Sequence, residues 1–279
     1  MLDDIIYRNH RGEEAAFGEG GLFANENTLR DVAWEASRSG RSLRLGRSKS
    51  ERSLPVRLCL PADEGGCEAR DRLFDLMDED ARTGKPGAFV ANGYEMRCFV
   101  TQWAFSKYLL RDGYLRADLT VLPVDGVWTR AVHHEFRPST PGPPGGLDLP
   151  CDLPCDLTPP PQPDFVRLDA TSGSSPFLMR IWGPAHNPSV RIAGNLHAVD
   201  VDVPEGGRLE VDARDGTCVM TERDGRATNC LSLRKTEDDG VPCDLFRHVP
   251  SGEASVEWDG SFWFELDLFD ERSTPRWAS

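Results

Sequence analysis

The most suggestive catalytic spelling in the chain is His134-Glu135. It opens like the H-E-x-x-H of a zinc hydrolase, in which two histidines one helical turn apart hold the metal and the glutamate moves a proton. Position 138, where the second histidine would stand, is Pro138, so the two-histidine face does not form. His133 and His134 do not replace it, because adjacent residues on a strand point to opposite faces. Cys151 and Cys155 have metal-like spacing, yet Pro150 and Pro154 restrict the loop and no second Cys/His pair follows at finger spacing. Asp200 and Asp202 begin like a calcium loop, but they alternate with Val199, Val201 and Val203 as the outward face of a strand, and no glycine stands at the sixth loop position. Asp78-Glu79-Asp80 and Glu237-Asp238-Asp239 read as a solvated helix end and a surface loop. Phosphate-binding, dinucleotide-binding and nucleophile-elbow signatures are missing. A glycosidase carboxylate pair assembled only in space leaves no spacing to read. The residues therefore predict no catalytic group, no metal site and no cofactor.

The elements that would position any such group divide at a composition break. Residues 138–163 carry Pro-Gly-Pro-Pro-Gly-Gly at 141–146, a tandem Leu-Pro-Cys-Asp at 149–156 and Pro-Pro-Pro at 159–161, a stretch that reads as an extended, semi-rigid linker. Domains are expected at 1–137 and 164–279, in keeping with a length of 279 residues. Upstream, Leu54, Val56, Leu58 and Leu60 alternate with less apolar neighbours, as do Leu115, Ala117, Leu119 and Val121, the period of half-buried strands. Between them Ala69, Leu73, Leu76, Met77 and Ala81 recur at helical spacing and predict one amphipathic helix over 68–81. Downstream, Val190/Ile192, Val199/Val201/Val203, Leu209/Val211 and Phe262/Phe264/Leu266/Leu268 are short alternating runs split by turn signals, which predict an all-β sandwich. Trp258-Asp259-Gly260-Ser261 sets Asp-Gly between two such runs and predicts a β-hairpin. The fold class is thus mainly β in two domains, the first carrying one helix.

Composition narrows the function further. With 39% hydrophobic and 28% charged residues, the chain can bury a core and is not disordered as a whole. A formal charge of −14 argues against a general nucleic-acid or anionic-membrane binder. No run approaches the length of a spanning helix. The N-terminal Met-Leu-Asp-Asp has acids where a secretory leader is basic, so synthesis and folding are expected in the cytosol. The eight cysteines are then expected as free thiols.

One segment breaks the acidic trend. Arg38, Arg41, Arg44, Arg47, Lys49, Arg52 and Arg57 face only Glu51, which leaves the rest of the chain at about −20. Three readings are open: a solvated serine-rich loop, docking onto an acidic neighbouring subunit, and nucleic-acid contact. The last lacks interleaved stacking aromatics. Trp263 falls on the face opposite Phe262 and Phe264; it reads either as an exposed ring, which would suit a carbohydrate-binding module contacting a host surface, or as a contact with a second sheet or an interface.

An ordered series of phrases resembles the distal tail proteins of long, non-contractile-tailed bacteriophages and their prophage relatives. Leu147 to Leu157 looks like that family's repeated Leu/Phe-Pro-x-Asp linker. Gly183-Pro184-Ala185-His186-Asn187-Pro188 matches its Gly-Pro-x-x-Asn-Pro phrase. Trp258, Asp259, Gly260 and Phe262 look like its final hairpin, and Arg272, Pro275 and Trp277 like its Arg-Ser-x-Pro-x-Trp close. The resemblance implies an N-terminal ring domain, a galectin-like β-sandwich after it, and no catalysis. It implies a hexameric ring at the lower end of the tail tube, joined to tube protein above and to a tail hub or tail-associated lysin below. Tape-measure protein and DNA would occupy the channel only in transit. Assembly in the host cytoplasm and residence in the virion tail tip are implied as well. A ring needs two different complementary patches on each subunit; Arg38, Arg41, Arg44, Arg47, Lys49 and Arg52 are the expected first patch.

Overall fold

The computed structural model describes residues 5–18, 20–24, 26–59, 66–109, 114–138, 164–168, 173–238 and 241–276. The chain divides into two compact units, Met1–Arg130 with Glu271–Ser279, and Ala131–Asp270. The Leu-Pro-Cys-Asp repeat, nearly all of the expected linker, and Trp277 lie outside the described residues.

Alternation builds the first unit. Its strands are β1 (Ile5–Arg8), β2 (Glu14–Ala16), β3 (Leu22–Ala24), β4 (Trp34–Ser39), β5 (Ser42–Arg47), β6 (Arg52–Cys59), β7 (Gly87–Ala91), β8 (Tyr94–Leu109), β9 (Tyr114–Pro123) and the start of β10 (Trp128–Phe136), with helix α1 (Gly66–Thr83) between β6 and β7. Antiparallel pairing runs β2-β1-β7-β8, with β9 on β8, β6 on β9 and β3 on β6. The two runs read as half-buried strands are partners: Leu54 stands opposite Leu119 and Val56 opposite Ala117, and all four side chains are buried. Leu73, Leu76 and Met77 of α1 enter the same core, together with Tyr7, Phe89 and Trp128. Ala81, expected on that apolar stripe, is exposed, and its neighbour Asp80 is buried instead.

The second unit contains the rest of β10, then β11 (Asp164–Leu168), β12 (Ser174–Ser175), β13 (Phe177–Trp182), β14 (Ala185–His186), β15 (Ser189–Ile192), β16 (Asn195–Ala198), β17 (Asp202–Val203), β18 (Arg208–Asp212), β19 (Thr217–Thr221), β20 (Ala227–Asn229), β21 (Glu237–Asp238), β22 (Val241–Pro242), β23 (Val249–Pro250), β24 (Gly252–Glu257) and β25 (Trp263–Arg272). One sheet runs β10-β25-β13-β18-β19-β20 and another β11-β24-β15-β16. Phe177, Met179, Ile181, Leu209, Phe264, Leu266 and Leu268 of the first meet Val166, Val190, Ile192, Ala254 and Val256 of the second in one core, the layering of a β-sandwich.

Two sequence expectations are corrected here. Residues 258–261 do not close a hairpin, because β24 belongs to one sheet and β25 to the other. The turn chemistry is present, with Gly260 at φ 74° and the Asp259 carboxylate accepting from the Ser261 N–H at 2.9 Å and hydroxyl at 2.7 Å. It carries the chain across the sandwich, while Trp258 and Phe262 pack on Phe264 at 5.4 and 6.0 Å between ring centroids. The run 199–203 is not one strand: Val199 makes an isolated bridge to Arg234, and only Asp202–Val203 forms β17, paired with β14. The compact units meet in the chain at 130/131 and again at 270/271. Val132 and Phe136 pack in the core of the second unit, and the chain after Asp270 belongs to the first, where Asn92 donates to the Arg276 carbonyl at 2.9 Å.

Candidate functional site

Several of the described groups screened for chemistry are used in structure. His133 lies 2.7 Å from an Asp267 oxygen, and the other Asp267 oxygen accepts from Arg180 at 2.7 Å. Arg180 also pairs with Glu210 at 3.3 Å and Glu265 at 3.8 Å, so this cluster is a cross-strand ion network on β13, β18 and β25. Burial, aided by the neighbouring His133, holds the His134 imidazole below its ordinary value. Asp200 lies 3.5 Å from Lys235, and Asp202 pairs with His186. Among the described residues no three His, Cys, Asp or Glu side chains converge as a metal site.

Asp80 is the largest departure from the sequence reading. Far from being solvated, its carboxylate is 1% exposed and accepts from the Tyr7 hydroxyl at 2.6 Å and the His10 N–H at 3.0 Å, with His10 Nδ1 at 2.5 Å. Gly87 makes room for this contact, since a Cβ there would collide with both Asp80 and Tyr7. Beside it Glu79 pairs with Arg11 at 2.6 Å. The acids at the end of α1 thus fasten the β1–β2 turn to the helix.

The basic segment folds into a ribbon. β4 and β5 pair from Trp34↔Arg47 to Ser39↔Ser42, turning through Gly40, whose φ of 59° suits a two-residue hairpin loop. Every residue of it except Arg47 is exposed. Register places Trp34, Ala36 and Arg38 on one face with Arg47, Leu45 and Leu43. Trp34, Leu43 and Leu45 are 51%, 58% and 60% exposed. Counting cations alone missed this apolar ladder; its signal was the alternation of Leu43 and Leu45 with arginine and glycine.

The expected basic patch is therefore not uniform. Arg38, Arg41 and Arg44 stand exposed on the hairpin and Lys49 just beyond it. Arg47 reaches Glu271 at 3.5 Å in the same chain. Arg52 is buried, its guanidinium donating to the Leu29 carbonyl, and burial lowers its pKa; it is a structural residue and cannot contribute to an outer face. At the base of the ribbon, Ser48 donates to Glu35 at 2.8 Å and crowds Gly126, where a Cβ would meet the Ser48 carbonyl at 2.5 Å.

The family-like phrases occupy tight places in the second unit. Gly183 has no space for a side chain, because a Cβ would fall on the Pro204 carbonyl, and Gly183-Pro184 is a cis peptide. Asn187 holds φ 43° and donates its N–H to Val201 at 3.0 Å. The Pro188 carbonyl accepts from Val199 at 3.2 Å. Arg272 ends β25, and Pro275 is buried in the returning tail. Trp263, read as an exposed ring or a second-sheet contact, is half-buried and stacks on Trp182 of the same sheet at 5.2 Å and 19°.

No family model matches the chain, and no curated protein matches it in sequence. Its architecture is one shared with hub and baseplate proteins of bacteriophage tails. The Dit protein of phage SPP1, described as a paradigm of the hub adsorption apparatus in phages infecting Gram-positive bacteria, aligns over 98% of this chain and 100% of its own at TM-score 0.52 and 7% identity. A chain of the phage p2 baseplate in its activated conformation aligns over 99% of this chain and 100% of its own, at TM-score 0.61 with strontium and 0.60 with calcium, each at 9% identity. The likeness to Dit-like distal tail proteins is thus one of fold.

Proposed function

We propose that this protein is a structural component of a bacteriophage tail hub, six copies closing a ring that joins the tail tube to the tail tip or baseplate of a long-tailed phage or prophage. The observation that carries this reading is the fold match over nearly the full length of both partners. The exposed β4–β5 ribbon supports it, since a closed ring requires each copy to offer an unpaired surface to the next. Tube protein above, hub or tail-associated lysin below, and tape-measure protein in the channel are the partners of such a ring. An acidic chain suits a lumen through which DNA passes without sticking. The protein would assemble in the host cytoplasm and act in the virion, with no cofactor.

The test is the mass of the purified protein by light scattering at low and high salt, with negative-stain imaging of the main peak. An open six-subunit ring is expected. A monomer at every concentration and salt, with and without tube protein, would overturn the reading. The carbohydrate alternative is disfavoured because Trp182 already covers one face of Trp263; saturable quenching of tryptophan fluorescence by host wall polysaccharide would restore it.

A further inference from the structure

A two-stranded ribbon is marginally stable by itself in water, and one that shows a tryptophan and two leucines to solvent calls for a covering surface. The first unit contains a second surface of complementary chemistry. Phe74 on α1 and Trp103 and Phe105 on β8 form an aromatic row, with ring centroids 6.0 and 6.1 Å apart. Phe74 and Phe105 are 48% and 56% exposed. Beside them Met77, Ala81 and Val100 line a cavity of about 220 Å³. The Trp103 indole N–H is buried and has no acceptor, a defect that a carbonyl or hydroxyl from a docked strand would repair.

Charge agrees with shape. Glu68, Asp71, Asp75 and Asp78 recur along α1 at steps of three and four residues, so they form one stripe next to Phe74. Glu68, Asp71 and Asp75 are exposed, and Asp78 lies at the cavity itself. The ribbon offers Arg38 on the ladder face and Arg41 at the turn, with Arg44 exposed on the opposite face. We infer that the β4–β5 ribbon of one copy docks on the α1–β8 groove of a second copy, with Trp34, Leu43 and Leu45 against the aromatic row, Arg38 and Arg41 against the acidic stripe, and Arg44 adding positive charge at the margin of the contact. The two patches differ, so the contact is heterologous and propagates around a closed ring. This inference rests on the ring reading above and names the surface that receives the ribbon.

The test is reciprocal charge reversal in the full chain, read by light-scattering mass with circular dichroism as a control for folding. Arg38→Glu with Arg41→Glu and Arg44→Glu, and separately Asp71→Arg with Asp75→Arg and Asp78→Arg, should each convert the oligomer to monomer. All six together should restore it. A helix triple that keeps the oligomer while the hairpin triple loses it would overturn the groove as receiver. A ring unaffected by either triple would overturn the contact and leave the hub reading standing. A wild-type monomer under all conditions would overturn both. Independently, a benzophenone amino acid at Leu43, in mixed isotopically labelled subunits, should cross-link to the second copy within 66–83 or 94–109. Capture by residues 139–163, or by another protein's surface, would overturn the inference.

Discussion

The Tyr7 hydroxyl donates to Asp80 across 73 residues of sequence at 2.6 Å, and this bond ties the first strand to the only α-helix of the described residues. Removing the carboxylate strands a buried phenol and a part-buried backbone N–H. Asp80→Ala is expected to cost the first unit about 2–4 kcal/mol, and Tyr7→Phe about 1 kcal/mol. The double variant should fall short of their sum, because the two changes remove one shared bond. Urea denaturation followed by far-UV circular dichroism would measure all three.

His197 is expected to make the second unit acid-sensitive. Its Nδ1–H donates to the Leu245 carbonyl at 2.9 Å, Nε2 accepts from Asn195 at 3.1 Å, and the ring packs edge-on to Phe177. Burial lowers its pKa from the ordinary 6.5. The unfolded chain therefore takes up the proton first as pH falls. The contribution to stability is complete above about pH 6.5 and declines as pH drops towards the lowered folded value. Thermal melts between pH 8 and pH 5 should show this slope in wild type, and His197→Gln should flatten it.

Gly183→Ala should be severe for a change of one methyl. The new Cβ meets the backbone of Pro204 rather than a side chain that can swing away. A loss of about 2 kcal/mol or more is expected, seen as a lowered melting temperature. Gly194→Ala, where nothing lies near the added carbon but φ is 78°, should cost about 1 kcal/mol from backbone strain alone.

Burial raises the thiols of Cys98 and Cys218 to about 12, so neither ionises near neutrality. Alkylation of the native protein at pH 8 followed by peptide mapping should leave both unlabelled. Complete labelling should follow in denaturant. Labelling of either in the native state would mean that its strand opens readily.

Much of the frame was legible because half-buried antiparallel strands have a period of two. Leu54/Val56 and Ala117/Leu119 turned out to be direct partners, and Leu73, Leu76 and Met77 faced that core. What escaped depended on distant chain. Asp-Gly at 259–260 announces a reversal but not which sheet receives the next strand, and the answer lies in pairings of β25 with β13. Asp80 looked like one acid among three, because its partners Tyr7 and His10 are some 70 residues away. In the ribbon, Arg44 between the leucines and Ser42 and Gly46 beside them masked the apolar ladder. Arg52, a cation by type, is a core residue by position, since the Leu29 carbonyl that satisfies it belongs to a loop with no motif.

The second unit interrupts the first, which resumes only at Glu271. During synthesis the anchor of Arg47 at the foot of the ribbon therefore leaves the ribosome only after the whole second unit. A chain cut short after Asp270 carries the ribbon but neither Glu271 nor the buried Pro275. Products that stop within the second unit therefore enter the pool of free subunits with an unfastened arm.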